Sequence, residues 1–310
     1  MGGVLIGFAI IGFVILVGYV IERAGIAGPE GGRVLNRVAF FVATPALLFT
    51  VLVHADVRVF FSPFLATVLA SVACGVVLYV AVSLAFFRTP LAETTLGAAA
   101  STYVNANNIG LPVAIYVLGS AQYVAPVLLL QLLVLAPLTL TILDGSTRGH
   151  VSLRSIVTQP LRNPMIIASV VAVLIAVLIA VLGITVPAPV LAPLDILGGA
   201  AIPMVLLAFG MSLHGQRLLK AGSGRKRVAV ASAIKVAAMP LIAYLVGRFV
   251  FGLAGPELFA VVTVSALPTA QNIYNFSARY NRGTVVARDT VLVTTIASIP
   301  ALLVIAALLA

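Results

Sequence analysis

The stretch STYVNANNIGLPVAIYVLG, residues 101–119, lies inside a run apolar enough to cross a bilayer, yet it carries Asn105, Asn107, Asn108 and Pro112. An amide side chain in hydrocarbon is costly without a partner. Proline removes a backbone donor and clashes with the preceding turn, so a helix here is expected to kink or open. A second stretch, SALPTAQNIYNFSARYNRG at 265–283, overlies the first at a constant offset of 164 residues. The two agree at Ser101/Ser265, Ala106/Ala270, Asn108/Asn272, Ile109/Ile273, Ala114/Ala278, Tyr116/Tyr280 and Gly119/Gly283. Two polar, broken membrane helices in corresponding halves of a chain point to a transporter binding site.

Composition decides the class. Of 310 residues, 62% are hydrophobic and 8% charged, against roughly 25% charged in a soluble domain. The chain is therefore read as an all-α integral membrane protein. Its net charge of +10 does not point to nucleic acid, because the basic residues sit in short loops between apolar runs. Cys74 is the single cysteine, so no intrachain disulfide forms. The start MGGVLIGFAI has neither a basic n-region nor a small-residue cleavage site, and reads as a retained first helix rather than a signal peptide.

Apolar runs near the ~20 residues that a span requires fall at 4–21, 34–53, 60–86, 94–117, 122–143, 163–182, 190–212, 228–250, 257–280 and 286–309. The second, fourth, seventh and ninth carry Pro45, Pro112, Pro203 and Pro268 and are expected to bend or break. The longest polar link divides the chain into a five-helix repeat (1–143), a cytoplasmic linker (144–162) and a second five-helix repeat (163–310). Fifteen of the 18 Lys and Arg residues lie in the odd-numbered loops, with only Arg58 and Arg248 opposite and Lys235 inside a span. The positive-inside rule then puts the odd loops in the cytoplasm and both termini outside the cell membrane. An odd number of spans per half inverts the second half relative to the first, the arrangement of many alternating-access carriers.

Ten spans, the Asn/Pro-bearing segments NANNIGLP and LPTAQNIYN, and the AIPMVLLAFGMSL segment resemble the auxin efflux carrier family, in its bacterial branch. The likeness runs over essentially the whole chain. It implies a fold similar to bile acid:sodium symporters, with spans 1, 2, 6 and 7 as a scaffold. Spans 3–5 and 8–10 would form a transport domain that shifts like an elevator. Plant members export an indole carboxylate, and bacterial members are associated with small organic acids such as malate or malonate.

Broken helices expose backbone N–H groups that carry partial positive charge and suit a carboxylate. The expected substrate-binding residues are Asn105, Asn107 and Asn108 from the fourth span with Gln271, Asn272 and Asn275 from the ninth, and Pro112 and Pro268 hold the backbone open. The plainer reading is that these amides only bridge helices. Lys235, about 12 Å beyond Arg227 along its helix, is read as a counter-charge for the anion, a movable proton-linked charge, or a structural ammonium on the carbonyls of an unwound helix. Coupling stays open. Asp195 and Asp289 read as span-end residues, the latter in an interfacial ion pair with Arg288, while Glu93 and Asp56 read as loop residues. The Gln271-Asn272 pair resembles the polar pair that helps hold sodium in bile acid symporters, but Leu267 stands where an acidic ligand is expected. No cofactor is called for, and sodium coupling, proton coupling and uniport all remain.

His54 and His214 read as interfacial, and no His/Cys/Asp cluster has metal-ligand spacing. The GMSLH stretch suggests an intramembrane serine hydrolase but lacks a second histidine at matching depth, so enzyme activity is set aside. An anion channel is the nearer rival to a carrier. The partners implied are a small organic anion and the bilayer, with a homodimer left open.

Overall fold

A computed structural model describes residues 2–53, 62–148, 164–182, 187–215 and 224–310. In chain order its helices are α1 (Gly2–Arg23), α2 (Gly31–Val53), α3 (Pro63–Phe87), α4 (Leu91–Thr102), α5 (Leu111–Tyr116), α6 (Ala121–Thr147), α7 (Pro164–Leu182), α8 (Ala188–Leu213), α9 (Arg225–Val250), α10 (Gly255–Ser265), α11 (Asn272–Tyr280) and α12 (Thr284–Leu309). Seven of them, α1, α2, α3, α6, α8, α9 and α12, are long and apolar enough to cross a membrane. The only strand pairing among the described residues is one isolated bridge. The chain is an all-helical, multi-pass membrane protein. The run at 163–182 forms α7, whereas those at 94–117 and 257–280 each divide, into α4 and α5 and into α10 and α11. His54, Asp56, Arg58, His150, Arg154, Arg162, Arg217 and Lys220 lie outside the described residues, as does the expected linker beyond its helical start at 144–148.

Proline acts here differently from expectation. Four wide, π-type turns, at Ala39–Ala43, Ala106–Gly110, Gln131–Leu135 and Ile234–Ala238, each end two residues before a proline: Pro45, Pro112, Pro137 and Pro240. Proline cannot donate to the carbonyl one turn back, and its ring crowds it; widening the preceding turn by one residue relieves both problems without breaking the helix. Pro112 therefore does not open the fourth run. The interruption lies earlier, at Tyr103–Asn105. Likewise α8 turns at Ala200, ahead of Pro203.

Small residues set the closest approaches. A Cβ built on Gly210 of α8 would lie 2.0 Å from the Ile15 carbonyl oxygen, and one on Gly18 of α1 would lie 2.3 Å from that of Leu207. With lipid as apolar as leucine, such backbone-to-backbone packing is a main source of helix association. α7 and the first half of α8 pack on α2. A second group forms around α9, which packs on α3, α10 and α12, while α4 packs on α3 and α6. The groups meet where Gly7 of α1 faces the Tyr116 carbonyl of α5 and where α8 crosses the 106–110 turn.

Candidate functional site

The two interrupted runs cross each other deep in the protein. Val104 and Thr269 form the antiparallel bridge; Asn105 N–H donates to the Pro268 carbonyl at 2.7 Å, and Ala270 N–H to that of Tyr103 at 3.0 Å. Backbone groups freed from a helix at membrane depth must find partners inside the protein. Here each broken segment supplies them to the other. Side chains complete the accounting: Thr269 Oγ1 donates to the Ala100 carbonyl at 2.6 Å, Gln131 Nε2 to that of Val104 at 2.9 Å, and Thr269 N–H to Thr294 Oγ1 at 3.1 Å.

The C-terminal end of α10 is closed by a charge. Lys235, fully buried on the wide turn of α9, donates from Nζ to the carbonyl of Ser265, the last residue of α10, at 2.6 Å. Unpaired carbonyls give a helix C-terminus partial negative charge, which an ammonium offsets. Among the described residues Lys235 has no ion-pair partner. Of the three readings of this lysine, the contact matches the ammonium on the carbonyls of an unwound helix.

The amides sit on the other side of the crossing. Asn105 caps the second half of its run, its Oδ1 accepting from the Asn108 N–H at 3.1 Å. Asn107 Nδ2 donates to Asn108 Oδ1 at 2.8 Å, Asn108 Nδ2 to Gln271 Oε1 at 3.3 Å, and Gln271 Nε2 to Ser212 Oγ of α8 at 3.3 Å. This chain of amides links both interruptions to α8. A narrow cavity of about 70 Å³ lies against it, lined by Asn105, Asn107, Asn108, Gln271, Asn272 and Asn275 together with Asn36 and Gln131. Two buried polar atoms there have no partner, Asn105 Nδ2 and Asn107 Oδ1. Leaving such a group unpaired costs about 1–3 kcal/mol.

Two wider clefts meet the first at Gln271. One of about 270 Å³ includes Asn36, Arg33 and Glu22; the other, of about 260 Å³, includes Asn275, Ser212 and Arg288. Arg33 pairs with Glu30 at 2.6 Å and keeps a well-exposed side chain. Arg288 donates through Nε and Nη2 to Asp289 Oδ1. The expected Arg288–Asp289 pair is present near the start of α12, with Asp289 itself fully buried and its Oδ2 without a partner.

All six predicted amides therefore line one cavity, with Pro268 at the crossing itself, while Pro112 lies in α5 and outside that lining. Asp195 lies exposed within α8, and Glu93 lies in the first turn of α4, paired with Arg227. His214 packs its ring edge-on to Tyr19, and Ser212 Oγ accepts from Gln271. Sequence reasoning missed Asn36, Gln131, Thr269 and Thr294. Gln131 carried a signal, as a lone amide in LLLQLLVL; Asn36, at the start of the second run between Arg33 and Arg37, carried none.

A family model described as membrane transport protein matches residues 4–150 and 142–306. An uncharacterized transporter from Methanothermobacter thermautotrophicus is 24% identical over 265 residues, which cover 83% of this chain and 82% of the relative.

Proposed function

The chain belongs to the membrane transport protein family, of auxin efflux carrier type, and on that premise we propose that it is a secondary carrier moving a small organic anion, a carboxylate, by alternating access. The observation that carries this reading is the cavity at the crossing, lined by six amide side chains drawn from both interrupted runs. Amide N–H groups bind a carboxylate without the desolvation cost of a fixed buried cation. Arg33 and Arg288, each paired with a carboxylate, line the flanking clefts.

In this proposal the chain crosses the cytoplasmic membrane ten times, as two inverted five-helix repeats with both termini outside. α1, α2, α7 and α8 act as the scaffold, and the helices gathered around α9 and the crossing move against it. The packing of the two groups supports that division, as does their meeting at a small-residue contact, Gly7 on Tyr116. Lys235 travels with the moving group and keeps the α10 end closed in both states.

The test is uptake of radiolabelled mono- and dicarboxylates into proteoliposomes. A carrier gives saturable uptake that accelerates when the same substrate is loaded on the far side. Uptake that stays linear in concentration and is blind to the far side identifies a channel and overturns the reading.

A further inference from the structure

Outside the crossing, the strongest concentration of unlike chemistry lies where the α3–α4 connection meets the start of α9. An open cleft of about 630 Å³ there is lined by Arg88, Arg225, Lys226 and Arg227, with Glu93 as its one carboxylate and Phe86 on its wall. Glu93 is already paired with Arg227, so a surplus of positive charge faces the cleft.

The connection is held in place rather than loosely draped. Arg88 adopts a left-handed backbone (φ 49°), with its N–H on the Ser83 carbonyl at 2.6 Å. The hydroxyls of Ser83, Thr89 and Thr94 bond one another at 2.9–3.1 Å beneath it. A left-handed non-glycine residue costs energy and persists only when its surroundings fix it. Here they fix the backbone from which the Arg88 side chain leaves beside the cleft. The wall beside it is apolar and outward at one point: Phe86 of the cleft lining is 79% exposed.

We propose that this cleft binds the phosphate headgroup of an anionic phospholipid, an acyl chain lying against the exposed Phe86 ring. A cationic cleft continuous with a lipid-facing apolar wall fits an amphipathic anion; a free phosphate uses only the first half of it. Basic residues at a membrane surface each contribute enough to change anionic lipid affinity about fivefold.

Native mass spectrometry of the purified full chain, with phosphatidylglycerol and phosphatidylcholine competing, tests this. The wild type retains phosphatidylglycerol preferentially, and Arg88→Gln with Lys226→Gln lowers that preference by more than about tenfold. The thermal midpoint of this variant in phosphatidylcholine stays that of the wild type. A second variant, Phe86→Gln, keeps every charge and weakens lipid retention while leaving the weak binding of inorganic phosphate unchanged. Equal retention of the two lipids by the wild type overturns the proposal, as does an unaltered preference in the double variant. Displacement of the bound lipid by millimolar inorganic phosphate alone overturns the lipid assignment in favour of a free anion.

Discussion

The two interruptions share a plan and are held differently. The first spans three residues, Tyr103 to Asn105, and restarts at once on a wide turn capped by the Asn105 side chain. The α4 carbonyl at Ala100 is closed by a neutral hydroxyl, that of Thr269. The second runs from Ala266 to Gln271, restarts as α11 with no side-chain cap, and has its α10 carbonyl at Ser265 closed by a buried ammonium. At the repeat-related position in α3, Ser71 stands where α9 has Lys235, and Ser71 Oγ only returns to the Thr67 carbonyl of its own helix. One break is thus completed by its opposite half and the other by a charge from α9. The lesson is that a symmetric crossing tolerates unlike supports as long as every freed backbone group is met.

That contrast sets the order of expected effects. Lys235→Met strips the only donor given to the Ser265 carbonyl and leaves it buried, an expected loss of about 1–3 kcal/mol. Transport of any carboxylate falls at least about tenfold, read as initial uptake in proteoliposomes. Wild-type uptake removes the lysine from the mechanism and makes the two breaks equivalent. Next come the matched amides. Asn108 bonds both Asn107 and Gln271 and so joins the two breaks, whereas the Asn272 side chain reaches Tyr103 alone, so Asn108→Ala reduces uptake more than Asn272→Ala at equal membrane abundance. The reverse order contradicts the assignment of the amide chain to the first break.

Thr269→Val ranks third. It removes one hydrogen bond to Ala100, a cost of about 1 kcal/mol, and is expected to lower the thermal midpoint by less than Lys235→Met does. Pro112→Ala is the smallest. With the interruption set at Tyr103–Asn105, its uptake and stability stay within about twofold and about 0.5 kcal/mol of the wild type. A tenfold loss of uptake would restore proline as the agent that opens the run.

Much of this was legible in the residues. Periodicity was not needed: long apolar runs located the helices, and amides inside two of them located the crossing. The location of the break was not legible, because a proline and a widened turn can coexist in a continuous helix. The partners that close the freed backbone were also hidden. Thr269 and Thr294 look like ordinary residues of apolar spans, and only the crossing of distant segments gives them a carbonyl and an amide to serve. The pairing of Arg288 with Asp289 was legible from their adjacency, whereas the burial of Asp289 was not.

The most direct test is thermal unfolding of the purified protein against a panel of mono- and dicarboxylates, alongside Asn108→Ala. A ligand at about 100 times its Kd stabilises the state it binds by about 2.7 kcal/mol. The account predicts that at least one carboxylate raises the midpoint of the wild type, and that Asn108→Ala, with an unliganded midpoint close to the wild type's, loses the rise. An equal rise in both proteins, or no rise with any carboxylate, would contradict it.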